Sequence, residues 1–246
     1  MIRLLCLLLA LALPARAADV SDLDWVQHQG AVLPMSAPLR DDSGHATTLA
    51  EVAGGLPLLL VPGYFKCPNL CGVIREDVFA AIAASGLQPG RDLAVALLTI
   101  DPAETVADAS AARQSVLDRF PAARFAALTG PRSSLDAIAA AAGFRARFDP
   151  ALKQFLHPAG LAIIAPTGEI SSYLMGVGYA GEDLRAAVAR ADAGLTAPAE
   201  PVHLFCFTYD PHSGRVTVAV TEAVRAAGIL TVLAIAGFIV HLSRRA

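Results

Sequence analysis

Along its apolar and polar positions the chain alternates short apolar runs with stretches of helical period. Residues 56–61 form an apolar run bounded by Gly54-Gly55 and Pro62-Gly63, the pattern of a strand buried on both faces. Over residues 70–84 apolar side chains recur at Val73, Val78, Phe79 and Ile82 with Arg75, Glu76 and Asp77 between them, which predicts an amphipathic helix ended by Gly86. Residues 93–100 predict a second strand and residues 105–119 a helix that stops before Pro121. A short strand at 125–128 precedes an Ala-rich helix at 133–142, closed by Gly143. The apolar runs 161–165 and 170–174 flank Pro166-Thr167-Gly168-Glu169, a hairpin signal, and residues 182–193 predict the last helix of the body. Residues 19–55 show little beyond a turn at Asp41-Asp42-Ser43-Gly44. No internal repeat is present, which excludes solenoids and propellers.

Strands alternating with helices, followed by a hairpin and a helix, predict an α/β sheet whose final strands are antiparallel, the order of a thioredoxin-like fold. The ends of the chain read differently. Met1-Ile2-Arg3, an apolar run over residues 4–13 and an Ala-x-Ala ending at Ala17 make a secretory signal, residues 1–17, cleaved before Ala18. That run is too short to span a bilayer, which takes about 20 residues, and Cys6 leaves with it. The thioredoxin-like body is expected over residues 18–195. Residues 196–224 read as a linker and a membrane-proximal β-hairpin, with strand patterns at 202–209 and 215–221 around Asp210-Pro211-His212-Ser213-Gly214. Residues 225–243 read as a single transmembrane helix, in which 226–242 carry no formal charge apart from His241 and show no polar face, and 244–246 as a cytoplasmic tail carrying Arg244-Arg245. The expected location is the bacterial inner membrane, single-pass, with the soluble domain facing the periplasm, where cysteines can be oxidised.

Composition narrows the function. Hydrophobic residues make up 55% and charged residues 17%, which excludes a disordered chain. The net charge of -3, with no dense run of Lys and Arg, argues against nucleic acid as a partner.

The chemistry centres on Phe65-Lys66-Cys67-Pro68-Asn69-Leu70-Cys71, directly after the first buried strand. Cysteines four apart in the first turn of a helix share a face, and the helix N-terminus stabilises the thiolate that binds metal or attacks disulfides. Two cysteines alone do not choose between copper, zinc, thiol exchange and a structural disulfide. His157 precedes the first strand of the final hairpin, a position that a thioredoxin-like sheet places against the start of the first long helix. Two thiolates and one imidazole suit Cu(I), and the nitrogen lets Cu(II) be tolerated as well. Structural zinc would want a fourth protein ligand. Asp101 either orients the site or closes a strand-end turn before Pro102. Cys206, the odd cysteine of the mature chain, reads as a small apolar residue on a strand, or as a thiol that pairs with another molecule or joins His203 or His212 on copper.

Cys67-Pro68-Asn69-Leu70-Cys71 with the distal His157 resembles the Cys-Pro-x-x-Cys and His of the Sco/SenC family. Thr99-Ile100-Asp101-Pro102 with Glu104-Thr105, Leu128-Thr129-Gly130 with Gly143-Phe144, and Ala165-Pro166-Thr167-Gly168 extend the likeness over roughly residues 39–193. The resemblance implies a copper-binding metallochaperone for the CuA centre of cytochrome c oxidase, with Cys67, Cys71 and His157 as ligands. It also implies an oxidase subunit carrying the CuA site as partner, alongside other periplasmic copper or thiol-redox proteins. The chain departs from the family at Gly72 and Pro158, where many members carry Pro and Ser, and in its C-terminal rather than N-terminal anchor. The competing expectation is a thiol-disulfide oxidoreductase cycling Cys67 and Cys71 against a client. The spacing of three residues between the cysteines favours the first reading. A peroxidase of the Thr-x-x-Cys kind is disfavoured by Tyr64, three residues before Cys67.

Overall fold

The run expected to be buried on both faces is the middle of the sheet. The computed structural model describes Leu23, residues 25–67, 71–150, 153–199 and 226–233, and Ile235. These fall into two units, Ser21–Phe207 and the combined termini Met1–Val20 with Thr208–Ala246. In the first unit the strands are β1 (Leu39–Arg40), β2 (Ala46–Thr47), β3 (Leu58–Gly63), β4 (Ala94–Thr99), β5 (Ala126–Leu128), β6 (Arg147–Asp149), β7 (Gln154–Leu156), β8 (Gly160–Ile164) and β9 (Ile170–Met175). The helices are α1 (Leu49–Ala53), α2 (Cys71–Ser85), α3 (Val106–Arg119), α4 (Arg132–Ala142) and α5 (Gly181–Asp192). The main sheet has the order β5-β4-β3-β8-β9, and two small hairpins, β1-β2 and β6-β7, stand apart from it. β3, β4 and β5 are parallel, whereas β8 runs antiparallel to both β3 and β9.

Each central strand sends alternate residues into two cores. Leu58 and Leu60 of β3, Ala96 and Leu98 of β4, and Ala162 and Ile164 of β8 face α1, α4 and the N-terminal segment, where Leu49, Leu135, Ile138 and Trp25 close the layer. Leu59, Val61, Val95, Leu97, Leu161 and Ile163 face the other way, onto Ile74, Val78, Phe79 and Ile82 of α2 and Leu184 and Val188 of α5. Strands covered on both sides bury nearly every side chain, and this is why they read as continuous apolar runs. Val73, counted on the apolar face of the helix, is exposed, and the core face of α2 passes through Ile74, Val78 and Ala81 instead.

Pro62 lies in the central strand but near its end. β8 pairs β3 only over Leu58, Leu59 and Leu60, so Pro62 and Gly63 face a neighbour on the β4 side alone. A residue without an N–H is tolerated there because no ladder continues past it on the other edge. The end of β3 and the start of β8 are thereby neighbours, left unpaired to each other and open to the loops that follow and precede them.

Beyond the sheet, β1-β2, α1 and β6-β7 add elements that the hydrophobic pattern does not predict, each five residues or fewer. Residues 196–199, at the start of the expected linker, bond back to the body: Ala197 N–H donates to Ser171 O and Ala199 N–H to Gln27 Oε1. The predicted signal peptide, the 202–221 hairpin with Cys206, and the cytoplasmic tail lie outside the described residues. Of the second unit, residues 226–233 and Ile235 are helical, with Ile229, Leu230, Val232, Leu233 and Ile235 exposed. No helix among the described residues is long and apolar enough to cross a membrane.

Gly143 closes α4 with φ +71°, and a Cβ there would sit 1.8 Å from Val26 O, in a residue held close by Val26 N–H donating to Gly143 O at 2.8 Å. Both the left-handed backbone and the space require glycine. Gly143→Ala should therefore lower unfolding stability by about 3 kcal/mol, measured as a drop in the urea midpoint at unchanged slope.

Candidate metal and thiol site

The loops that leave β3 and β4 run side by side, tied by Ile100 N–H to Gly63 O at 2.7 Å. The first carries Cys67 and enters α2 at Cys71; the second carries Asp101 and Glu104 and enters α3. Antiparallel pairing returns the segment before β8 to the same corner, and His157 arrives there from β7. The outcome is a contact between Cys71 Sγ and His157 Nε2 at 3.2 Å, with both residues buried.

His157 is held in one orientation. Its Nδ1 donates to Pro158 O at 3.0 Å, so the proton of the neutral ring sits on Nδ1 and Nε2 presents its lone pair to Cys71. Pro158, which removes a backbone donor, thus supplies the acceptor that fixes the ring. Phe144 and Tyr64 wall the imidazole, with ring centroids 5.6 Å and 6.1 Å away. Burial pushes the pKa of His157 below its ordinary value, and the Pro158 hydrogen bond opposes this in part. The imidazole is therefore neutral at physiological pH, the state in which it can take a proton from a thiol or bind a metal.

Cys67 stands ahead of the described span of α2, Cys71–Ser85. It is half-buried, and its backbone is non-helical, as the residue before a proline prefers. No disulfide joins Cys67 to Cys71. Among the described residues no group of three His, Cys, Asp or Glu side chains is arranged to hold a metal ion. The structure brings Cys71 and His157 together, and Cys67 lies on the segment that leads into α2.

Asp101 serves a local turn: its Oδ1 accepts from Ala103 N–H at 2.8 Å, and its own N–H donates to Thr99 Oγ1 at 3.0 Å. The residue that reaches the cysteine loop is Glu104, three positions on. Its carboxylate is buried and accepts from Phe65 N–H at 2.8 Å, Lys66 N–H at 2.6 Å and the Thr99 hydroxyl at 2.5 Å. A second tie joins the same loop to the capping box of α3, where Lys66 Nζ lies 3.2 Å from Asp108 Oδ2. Bonds from Thr105 and the nearby Lys66 hold the Asp108 carboxyl below its usual value. Glu104 was visible in the sequence only as part of a matching stretch; a charged residue directly before the Thr105 cap was the one local hint that it faces inward.

A thioredoxin-like sheet with a buried thiol and a neutral imidazole in contact at the ends of β3 and β8 defines a class of thiol-handling or soft-metal-handling proteins. The chain belongs to the SCO1/SenC family, whose model matches residues 36–192. No curated protein matches it. Among solved structures, a protein of Aquifex aeolicus VF5 proposed for electron transfer is 24% identical, with a TM-score of 0.61 over 68% of this chain and 95% of that one. ScoI of Arabidopsis thaliana with copper bound is 18% identical, with a TM-score of 0.53 over 68% of this chain and 99% of that one. BsSco, a member of the Sco family of cytochrome c oxidase assembly proteins in which a disulfide switch was identified, is 15% identical, with a TM-score of 0.51 over 70% and 97%. These likenesses establish the fold.

The bonds from Glu104 predict that Glu104→Ala frees the loop that carries Cys67. Amide hydrogen exchange at Phe65 and Lys66 should accelerate, with a stability loss of about 2–3 kcal/mol. Unchanged protection at both amides would show that the carboxylate does not hold the loop.

Proposed function

We propose that this protein binds copper through Cys67, Cys71 and His157 and delivers it in assembly of the CuA centre of cytochrome c oxidase. The observation that carries the reading is the buried Cys71–His157 contact, in which a sulfur and an imidazole lone pair converge at 3.2 Å. That pairing of soft and borderline donors suits Cu(I), and Nδ1 is already committed to Pro158, the arrangement a ligating imidazole needs. Cys67, on the neighbouring loop, is the third donor, and it joins the pair when copper is taken up. Membership of the SCO1/SenC family supports the reading, as does the copper-bound state of the Arabidopsis relative. Copper here is cargo, passed to an oxidase subunit, and a site built from one fixed pair and one loop-borne thiol can release it by opening the loop.

A second reading, thiol-disulfide exchange with the oxidase subunit or another client, is favoured by one feature of the same contact. A neutral imidazole beside a thiol can draw off its proton and activate it. The disulfide switch of BsSco is in keeping with this chemistry.

The location we infer is the outer face of the bacterial inner membrane. A secretory signal over residues 1–17 and a C-terminal span over residues 225–243 support it, together with the exposure of five large apolar side chains on the described part of the C-terminal helix.

Two outcomes are expected. The reduced protein should retain one copper per chain when offered Cu(I), measured by metal analysis after desalting. Cys67→Ser and His157→Ala should each weaken retention at least tenfold, about 1.4 kcal/mol, while His157→Ala leaves the cysteines able to form a disulfide; full retention in both variants would refute the ligand set. In cells, truncation after residue 224 should move the protein from the membrane fraction to the soluble periplasmic fraction.

A further inference from the structure

Arg75 lies four residues after Cys71 in α2 and so on the same helical face. It is half-buried and lines the cleft that also contains Gly63, Cys71 and His157, where it is the only charged side chain among the described residues. The guanidinium folds back over the start of the helix, with Nη2 4.0 Å from the place a Cβ would occupy on Gly72. The acidic residues beside it are engaged elsewhere. Glu76 Oε2 pairs with Arg119 Nη1 at 2.8 Å, and Asp77 Oδ2 accepts from Gly178 N–H at 2.9 Å. Among the described residues Arg75 forms no hydrogen bond or ion pair. A partly desolvated cation without a counter-charge is costly to maintain, and this one lines the cleft that contains Cys71 and His157.

We propose that Arg75 biases the bound copper toward Cu(I), an inference that rests on the copper reading above. With two thiolates and a neutral imidazole, the reduced centre carries a net charge of minus one and the oxidised centre is neutral. Arg75 attracts the first and gains little from the second. The sign does not depend on how many thiolates bind, because the oxidised centre is always one unit more positive than the reduced one, and a fixed cation in the same cleft always favours the less positive state. A carrier that must hold its cargo as Cu(I) in an oxidising compartment is served by such a charge. Lys66, the other cation near the cysteines, is already paired with Asp108.

The test uses the full chain loaded with copper. The Cu(II)/Cu(I) equilibrium is titrated against redox mediators and followed by the Cu(II) electron paramagnetic resonance signal. Arg75→Met is compared with wild type, with Arg75→Lys, and with Arg91→Met, which removes the same charge at the other end of β4, where Arg91 is paired with Asp92. Arg75→Met should lose about tenfold of its preference for Cu(I), a potential lower by about 59 mV for one electron. Arg75→Lys should recover most of that preference, and Arg91→Met should match wild type. An Arg75→Met protein that binds one copper at the wild-type potential, or an equal shift in Arg91→Met, would overturn the assignment of Arg75 alone. Wild-type protein that takes up no copper would overturn the copper reading and this inference together.

Discussion

The antiparallel pairing of β3 with β8 is the constraint on which the site depends. It joins two segments about a hundred residues apart by three residue pairs, Leu58 with Ile164, Leu59 with Ile163 and Leu60 with Ala162. Because the strands oppose each other, the exit of one and the entrance of the other fall at the same edge of the sheet. Cys71 follows the exit and His157 precedes the entrance. The register is enforced from both faces, since a slip of one residue would exchange the side chains of two separate cores. Gly160, at the first position of β8, takes φ +147° with Leu174 O and the Trp25 ring each 2.9 Å from where a Cβ would lie, so the approach to the site admits no side chain at that point. Packing of the cores thus fixes the relation of thiol and imidazole, and the loop carrying Cys67 is left to carboxylate and cation ties that are weaker and local.

This division gives the site a rigid half and an adjustable half. His157 is locked by burial, by Phe144 and by the Pro158 carbonyl. Trp25, the single tryptophan of the chain, packs edge-on against Phe144 at 4.8 Å and extends the rigid half to the N-terminal segment. The adjustable half hangs on Glu104, whose two oxygens hold consecutive amides of the loop, and on the Lys66–Asp108 pair. In the copper reading proposed above, such a site would be selective in its fixed donors and release its cargo by moving the loop-borne one.

Much of this was legible in the sequence. The buried strands and long helices were readable because their period extends over five or more residues and both sides of each strand are covered, as at residues 58–63 and 94–99. The placement of His157 followed from strand order, a topological inference that needs no local signal. Elements of two to five residues, such as Leu39–Arg40 with Ala46–Thr47 and the hairpin of Arg147–Asp149 with Gln154–Leu156, are too short to show a period. The geometry between the two cysteines runs through residues 68–70, outside the described residues, so their expected shared helical face stands as a reading of the sequence. The choice between Asp101 and Glu104 was beyond local reading: both sit in the same loop, and only the tertiary approach of the β3 loop decides which carboxylate turns inward. Arg75 read as one charge on a polar face, and its place in the cleft emerged only from the tertiary fold.

The central claim is that copper is held by Cys67, Cys71 and His157, and X-ray absorption at the copper edge of the Cu(I)-loaded protein tests it most directly. The account predicts a three-coordinate centre with two sulfur neighbours and one nitrogen neighbour whose outer scattering carries the imidazole signature. A shell of sulfur alone, or of nitrogen and oxygen without sulfur, would contradict it.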